Sequence, residues 1–226
     1  WCSAPGGSTK EERKSWLDTI RTNSYYVWLE KSICAIYGFE EINEDNWDEI
    51  SEAINKAHQD RHFHWYILKE KANYKRFMED SYWNPGDNLS YPEFVVSTYR
   101  MDNWLTGYHP DSVDHDQTNP RHFTDTDMST LEAYEGALAE ELDKRKSHVV
   151  ALKCAAAYER TLEFDKTDRT AAEKIFGKLP SVITEEEKIL FGNYMFHHFV
   201  QAARERNLPI QLHTGLARLA GSNPML

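Results

Sequence analysis

The chain has 226 residues, a formal net charge of -11, and 40% hydrophobic residues with 13% aromatics, enough apolar material for a sizeable core and too much for a disordered chain. The acidic balance excludes nucleic acid and anionic membrane surfaces as partners, because both reward basic patches. Cys2, Cys34 and Cys154 form no CxxC pair, no apolar run approaches a membrane span and no signal peptide is visible, so a cytoplasmic protein without a disulfide framework is expected.

Residues 1–9 are rich in Gly, Ser and Pro and read as a loop or tail. Residues 10–72 read as a helical subdomain. Leu29, Ile33, Ile36 and Tyr37 keep helical spacing ahead of Gly38, a suitable C-cap. Asn43 is placed to cap a second helix with a stripe of Trp47, Ile50, Ile54 and Ala57, and a third helix is expected over Arg61 to Lys71.

From residue 73 onward strands alternate with helices. Tyr74–Tyr82 and Glu93–Tyr99 are strand candidates, the second running into Tyr99-Arg100-Met101-Asp102. Residues 107–127 read as a long loop. Ser129-Thr130-Leu131-Glu132 reads as a capping box ahead of Leu131, Tyr134, Leu138 and Leu142. His148–Cys154 is a buried strand, a short helix follows Asp168, and Thr184 with Glu187 caps a helix reaching Arg206. A last strand at 209–213 closes the series. The alternation predicts βα units and a parallel sheet. Four strands are too few for an eight-stranded barrel, so the expected fold is α/β, a partial (β/α)8 barrel incomplete at both ends. The start at Trp1 and the stop at Met225-Leu226 suit an internal piece of something longer.

His213 stands at a strand tip beside Gly215, on the same face as Gln211, where a neutral imidazole suits a metal and equally suits a hydrogen bond to the next loop. Lys153 ends an apolar strand, where it either meets an anionic substrate or reaches out to water. Arg100, Tyr158 and Arg160 are candidates for gripping a carboxylate, against the commoner reading of ion pairs with the abundant Asp and Glu. His62 and His64 lie in helical context, where i and i+2 point apart, so they are not read as a metal pair. The segment from His109 to Asp116 carries many oxygen and imidazole ligands without calcium-loop spacing and reads as a solvated active-site loop. His197 and His198 are mid-helix. A phosphate loop and a GxSxG elbow are missing from the sequence, which excludes those chemistries.

Two stretches carry a family resemblance. Val150-Ala151-Leu152-Lys153-Cys154-Ala155-Ala156-Ala157-Tyr158-Glu159-Arg160 resembles the lysine strand of the amidohydrolase superfamily, in the branch that includes uronate isomerase-like and FluG-like proteins. Leu208-Pro209-Ile210-Gln211-Leu212-His213-Thr214-Gly215, with Gly221-Ser222-Asn223-Pro224-Met225-Leu226, is similar to that branch's HTG stretch. The helical part with Tyr25, Trp28, Leu29, Tyr37 and Gly38 resembles its insertion after the first barrel strand.

The resemblance implies a TIM barrel with a divalent metal, zinc or manganese. His213 would be a metal ligand, Lys153 a carbamylated or unmodified site residue, and Arg100, Tyr158 and Arg160 further site residues. The family's first-strand HxH, a later His and the strand-eight Asp have no match in this chain. The leading expectation is a metal-dependent hydrolase acting on a small carboxylate-bearing molecule. The alternatives are an isomerase or decarboxylase on the same barrel, or a non-catalytic scaffold using Trp16, Trp28, Trp47, Trp65, Trp83 and Trp104 at an interface. A homo-oligomer is compatible with each.

Overall fold

The computed structural model describes residues 9–87 and 89–214 and divides the chain at Lys75/Arg76 into two compact units. Gly215 and the stretch Gly221 to Leu226 lie outside the described residues, as does the tail before Thr9.

The first unit is helical. Thr9 accepts from the Glu12 amide while Glu12 reaches back to the Thr9 amide, and this box starts α1 (Lys10–Ile20). Asn23 accepts from the amides of Tyr25 and Tyr26 and starts α2 (Ser24–Tyr37), which stops at Gly38 with φ of 82°. That left-handed cap is cheap only for glycine. The second helix expected here, α3 (Trp47–Ala57), begins without a side-chain cap of its own; the Asn43 side chain instead accepts from the amides of Asp45 and Asn46 one turn earlier. The expected third helix is a single turn, α4 (Phe63–Tyr66), continued by a π turn, Ile67–Lys71.

Leu17, Ile20, Tyr26, Ile42 and Ile50 form the core of this unit, with Trp16, Ile33 and Trp47 packed on it. The α2 stripe is buried only in part: Ile33 packs on the core and Ile36 and Tyr37 are half-buried, whereas Leu29 is exposed and Tyr26, outside the stripe, is the buried residue of the helix.

The second unit is built on a four-stranded parallel sheet of β1 (Phe77–Glu79), β2 (Val95–Arg100), β3 (Val149–Cys154) and β4 (Ile210–Leu212), in sequence order across the sheet. Sequential parallel order is the arrangement of a (β/α)8 barrel wall, and this is half of one. Helices α5 (Asp102–Thr106), α6 (Leu131–Arg145), α7 (Arg169–Ile175) and α8 (Glu185–Glu205) connect and cover it. The outer strands, Phe77–Glu79 and Ile210–Leu212, are shorter than the strand candidates at 74–82 and 209–213, each pairing with a single neighbour.

Alternation along the strands sorts the side chains. Tyr99, Leu152, Cys154 and Ile210 pack with Trp104, Tyr134, Phe191 and Phe199 under the helices. Thr98, Arg100, Lys153 and Gln211 point to the opposite face. The core is knit by two buried hydrogen bonds, Trp104 Nε1 to Tyr99 Oη at 3.0 Å and Tyr134 Oη to the Trp104 carbonyl at 2.9 Å. A Cβ at Gly107 would collide with the Tyr134 hydroxyl and approach the Asn103 carbonyl to 2.9 Å, so that position requires glycine.

Helix α6 is capped by Thr130, which accepts from the Ala133 amide, rather than by a box from Ser129 to Glu132. Helix α8 starts on the reciprocal box between Thr184 and Glu187. Among the described residues no helix is long and apolar enough to cross a membrane.

Candidate active site at the strand ends

In a parallel sheet every strand delivers its C-terminal residues to one edge. Here the register places Arg100 beside Lys153 and Lys153 beside Gln211, one row across β2, β3 and β4. The two cations are treated differently. Arg100 donates to Asp80 Oδ2 at 2.8 Å and to Asp116 Oδ2 at 2.5 Å. Burial opposes its charge, but these carboxylates outweigh burial and raise its pKa. Lys153 Nζ donates to the neutral Gln211 Oε1 at 3.1 Å and has no carboxylate partner among the described residues.

The loop after α5 is not the solvated segment its composition predicts. Asp114 is buried, its Oδ1 accepting from the amides of Asp116 (3.1 Å) and Thr118 (2.8 Å) and its Oδ2 from the Thr118 hydroxyl (3.0 Å). Buried Asn119 donates to the carbonyls of His109 and Ser112. These bonds fold the loop back over the strand ends and fix His115.

The His115 Nδ1 lies 2.8 Å from Glu159 Oε1 and its Nε2 lies 3.4 Å from Asp116 Oδ2. Burial disfavours the imidazolium, but the Glu159 hydrogen bond and the Asp116 charge prevail and raise the pKa of His115. The Tyr158 ring sits 5.1 Å from the His115 ring and stacks on His213 at 4.7 Å with 14° between planes. The structure thus gathers Arg100, Lys153, Tyr158 and His213 on one edge.

Arg160 is turned elsewhere. Its donors go to the carbonyls of Thr161, Glu163 and Ile189 and to Asn193, so it braces the turn after β3 against α8 and leaves no fork for a carboxylate ligand.

Asp102 is the residue that sequence reasoning missed. It is 1% exposed, and both of its oxygens share the Ala155 amide, at 2.8 and 3.0 Å. Burial pushes its carboxyl up to about 7 against the pull of Arg100 and the amide. It lines a cleft of about 590 Å³ together with Glu159, Thr106, Tyr108 and Lys188, between α5, the turn at Ala156–Tyr158 and the start of α8. Neighbouring Cys154 is no nucleophile, since burial and then the Asp102 charge push its thiol up to about 12.

Ligand atoms of Asp114, His115 and Asp116 all lie within 4.8 Å of one another. Two carboxylates and one imidazole suit zinc or manganese. Nε2 of His115 faces Asp116, while Glu159 holds Nδ1 and orients the ring, as a carboxylate behind a ligating histidine does; an ion there would compete with Arg100 for Asp116 and with the loop amides and Thr118 for Asp114. His213, expected as a metal ligand, stacks on Tyr158 and is not one of these three. His62 and His64 lie in the helical unit, at the start of the single turn α4.

No protein-family model and no curated protein sequence matches the chain. Among solved structures, glucuronate isomerase from Caulobacter crescentus superposes with a TM-score of 0.67 and 18% identity, over 92% of this chain and 46% of that one. Uronate isomerase from Thermotoga maritima superposes with a TM-score of 0.66 and 18% identity, over 92% of this chain and 48% of that one. The chain therefore spans less than half the length of the structures it resembles. At this identity the likeness shows the fold alone, a parallel α/β barrel of which this chain forms part. The hydrolase expectation is corrected by the same finding: both structures are isomerases, in line with the alternative of an isomerase on the same barrel.

Proposed function

We propose that this chain supplies half of the barrel and part of the active site of an enzyme that interconverts the aldose and ketose forms of a sugar acid. The observation that carries the reading is Asp102, a buried carboxyl shifted to about 7 and opening on a cleft large enough for a six-carbon sugar. The isomer names of the similar structures supply the substrate class.

Aldose–ketose isomerisation removes a proton from C2 and returns one to C1, while a second proton passes from the C2 oxygen to the C1 oxygen. Atoms and electrons balance with no outside reagent. A base that works near neutral pH needs a pKa near the operating pH, and burial gives Asp102 such a value. Lys153 orients the substrate carboxylate, and Arg100, already paired to Asp80 and Asp116, holds the loop that carries His115. A divalent ion held by Asp114, His115 and Asp116 would polarise the substrate oxygens when bound. Residues 10–72 fit a helical insertion into the barrel.

The test is turnover by the full-length protein supplied with aldohexuronates and zinc or manganese. Formation of the ketohexuronate is expected, with kcat lowered roughly 10²–10⁴-fold in Asp102→Asn. No conversion of any uronic acid by the wild type overturns the reading, and wild-type kcat in the variant overturns the role of Asp102.

A further inference from the structure

We propose that Gln211 is a specificity-determining residue, an amide that leaves the charge of Lys153 available and itself joins in binding a carboxylate, so that the site selects sugar acids over neutral sugars. The inference rests on the isomerase reading for the identity of the ligand, and on the following geometry for its chemistry. Arg100, Lys153 and Gln211 are register neighbours on one face of the sheet. Adjacent parallel strands run about 4.8 Å apart, so two cations stand side by side.

Arg100 is compensated by two carboxylates. Lys153 meets an amide, which accepts a hydrogen bond and cancels no charge. A carboxylate at 211 would do for Lys153 what Asp80 and Asp116 do for Arg100, and would close the site to anions.

The same contact fixes which way the amide faces. An ammonium only donates, so the atom 3.1 Å from Nζ must be the amide oxygen. The Gln211 NH2 group is then directed away from Lys153. Neither it nor the remaining Nζ hydrogens bond another described residue. The ammonium and the amide NH2 then flank the amide oxygen, one donor for each oxygen of a carboxylate.

The experiment is calorimetric titration of the full-length protein with gluconate, a sugar acid with no carbonyl to isomerise, and with glucitol, its neutral counterpart. Wild type should bind gluconate at least tenfold more tightly than glucitol. Gln211→Glu should remove that preference by weakening gluconate at least tenfold with glucitol unchanged. Should that variant melt below wild type, Lys153→Gln gives the same readout. A gluconate preference that survives both substitutions, or is missing in wild type, overturns the inference. Because gluconate cannot turn over, preferential binding without any isomerase activity leaves the inference standing while the isomerase reading fails.

Discussion

Asp102 carries two opposed demands. Its carboxyl is held at about 7 in the folded chain and returns to about 4 when unfolded. Between those values the folded state binds the extra proton, so its contribution to stability is complete below pH 4 and is lost as pH rises through 7. A general base needs the ionised form, so activity should rise over the upper part of the range in which stability falls. Melting temperatures of wild type and Asp102→Asn compared from pH 4 to 8 should diverge in the variant's favour as pH rises; parallel curves would remove the shift.

His115 gives a second prediction. A metal must displace the proton that Glu159 and Asp116 stabilise, so zinc affinity should fall as pH drops through the raised His115 pKa, and Glu159→Gln should shift that fall to lower pH. Isothermal titration at several pH values measures both. Asp102 was not legible as a site, and His115 only as part of a ligand-rich active-site loop. Asp102 sits in the recognised strand end Tyr99-Arg100-Met101-Asp102, but its burial depends on the Ala155 amide at the end of a different strand. His115 lies in a segment noted for its ligands, and its fixed geometry depends on Glu159, which follows β3.

At the scale of elements, local chemistry reads well where it is self-contained. The box of Thr184 and Glu187 is present as its spacing predicts, and Thr184→Ala should cost about 1 kcal/mol in a denaturant titration. Gly38 caps α2 for the same local reason. What sequence could not show is where a helix points its stripe. The stripe's spacing is regular, yet Leu29 is 54% exposed while Ile33 packs on the core, because the buried face turns toward Tyr26. Gly107 is a further case. It looks like an ordinary loop glycine, and the buried Tyr134 hydroxyl, with the Asn103 carbonyl beside it, makes it irreplaceable. Gly107→Ala should destabilise by more than the Thr184 change, and pairing it with Tyr134→Phe should recover part of the loss, as equilibrium unfolding of the double variant would show.

For the molecule as a whole, the alternation of strands and helices already implied a parallel sheet, and the sequential order of four strands bears out half of a barrel. Its core rests on α8 against α5: the Phe199 and Trp104 rings meet edge-on and both residues are 0% exposed, and Phe199→Ala should cost roughly 3–5 kcal/mol. Reaction class was the least legible property, since one barrel supports hydrolysis and isomerisation alike. The Asp102 carboxyl, the cluster of Asp114, His115 and Asp116 and the row through Lys153 are each compatible with the proposed proton transfers on a sugar acid.

The measurement that separates the two reactions is the mass and carbon NMR spectrum of the product formed by the full-length protein from an aldohexuronate. Isomerisation predicts a product of unchanged mass with a new ketose carbon signal. A product heavier by one water, or two fragments in its place, would contradict the account.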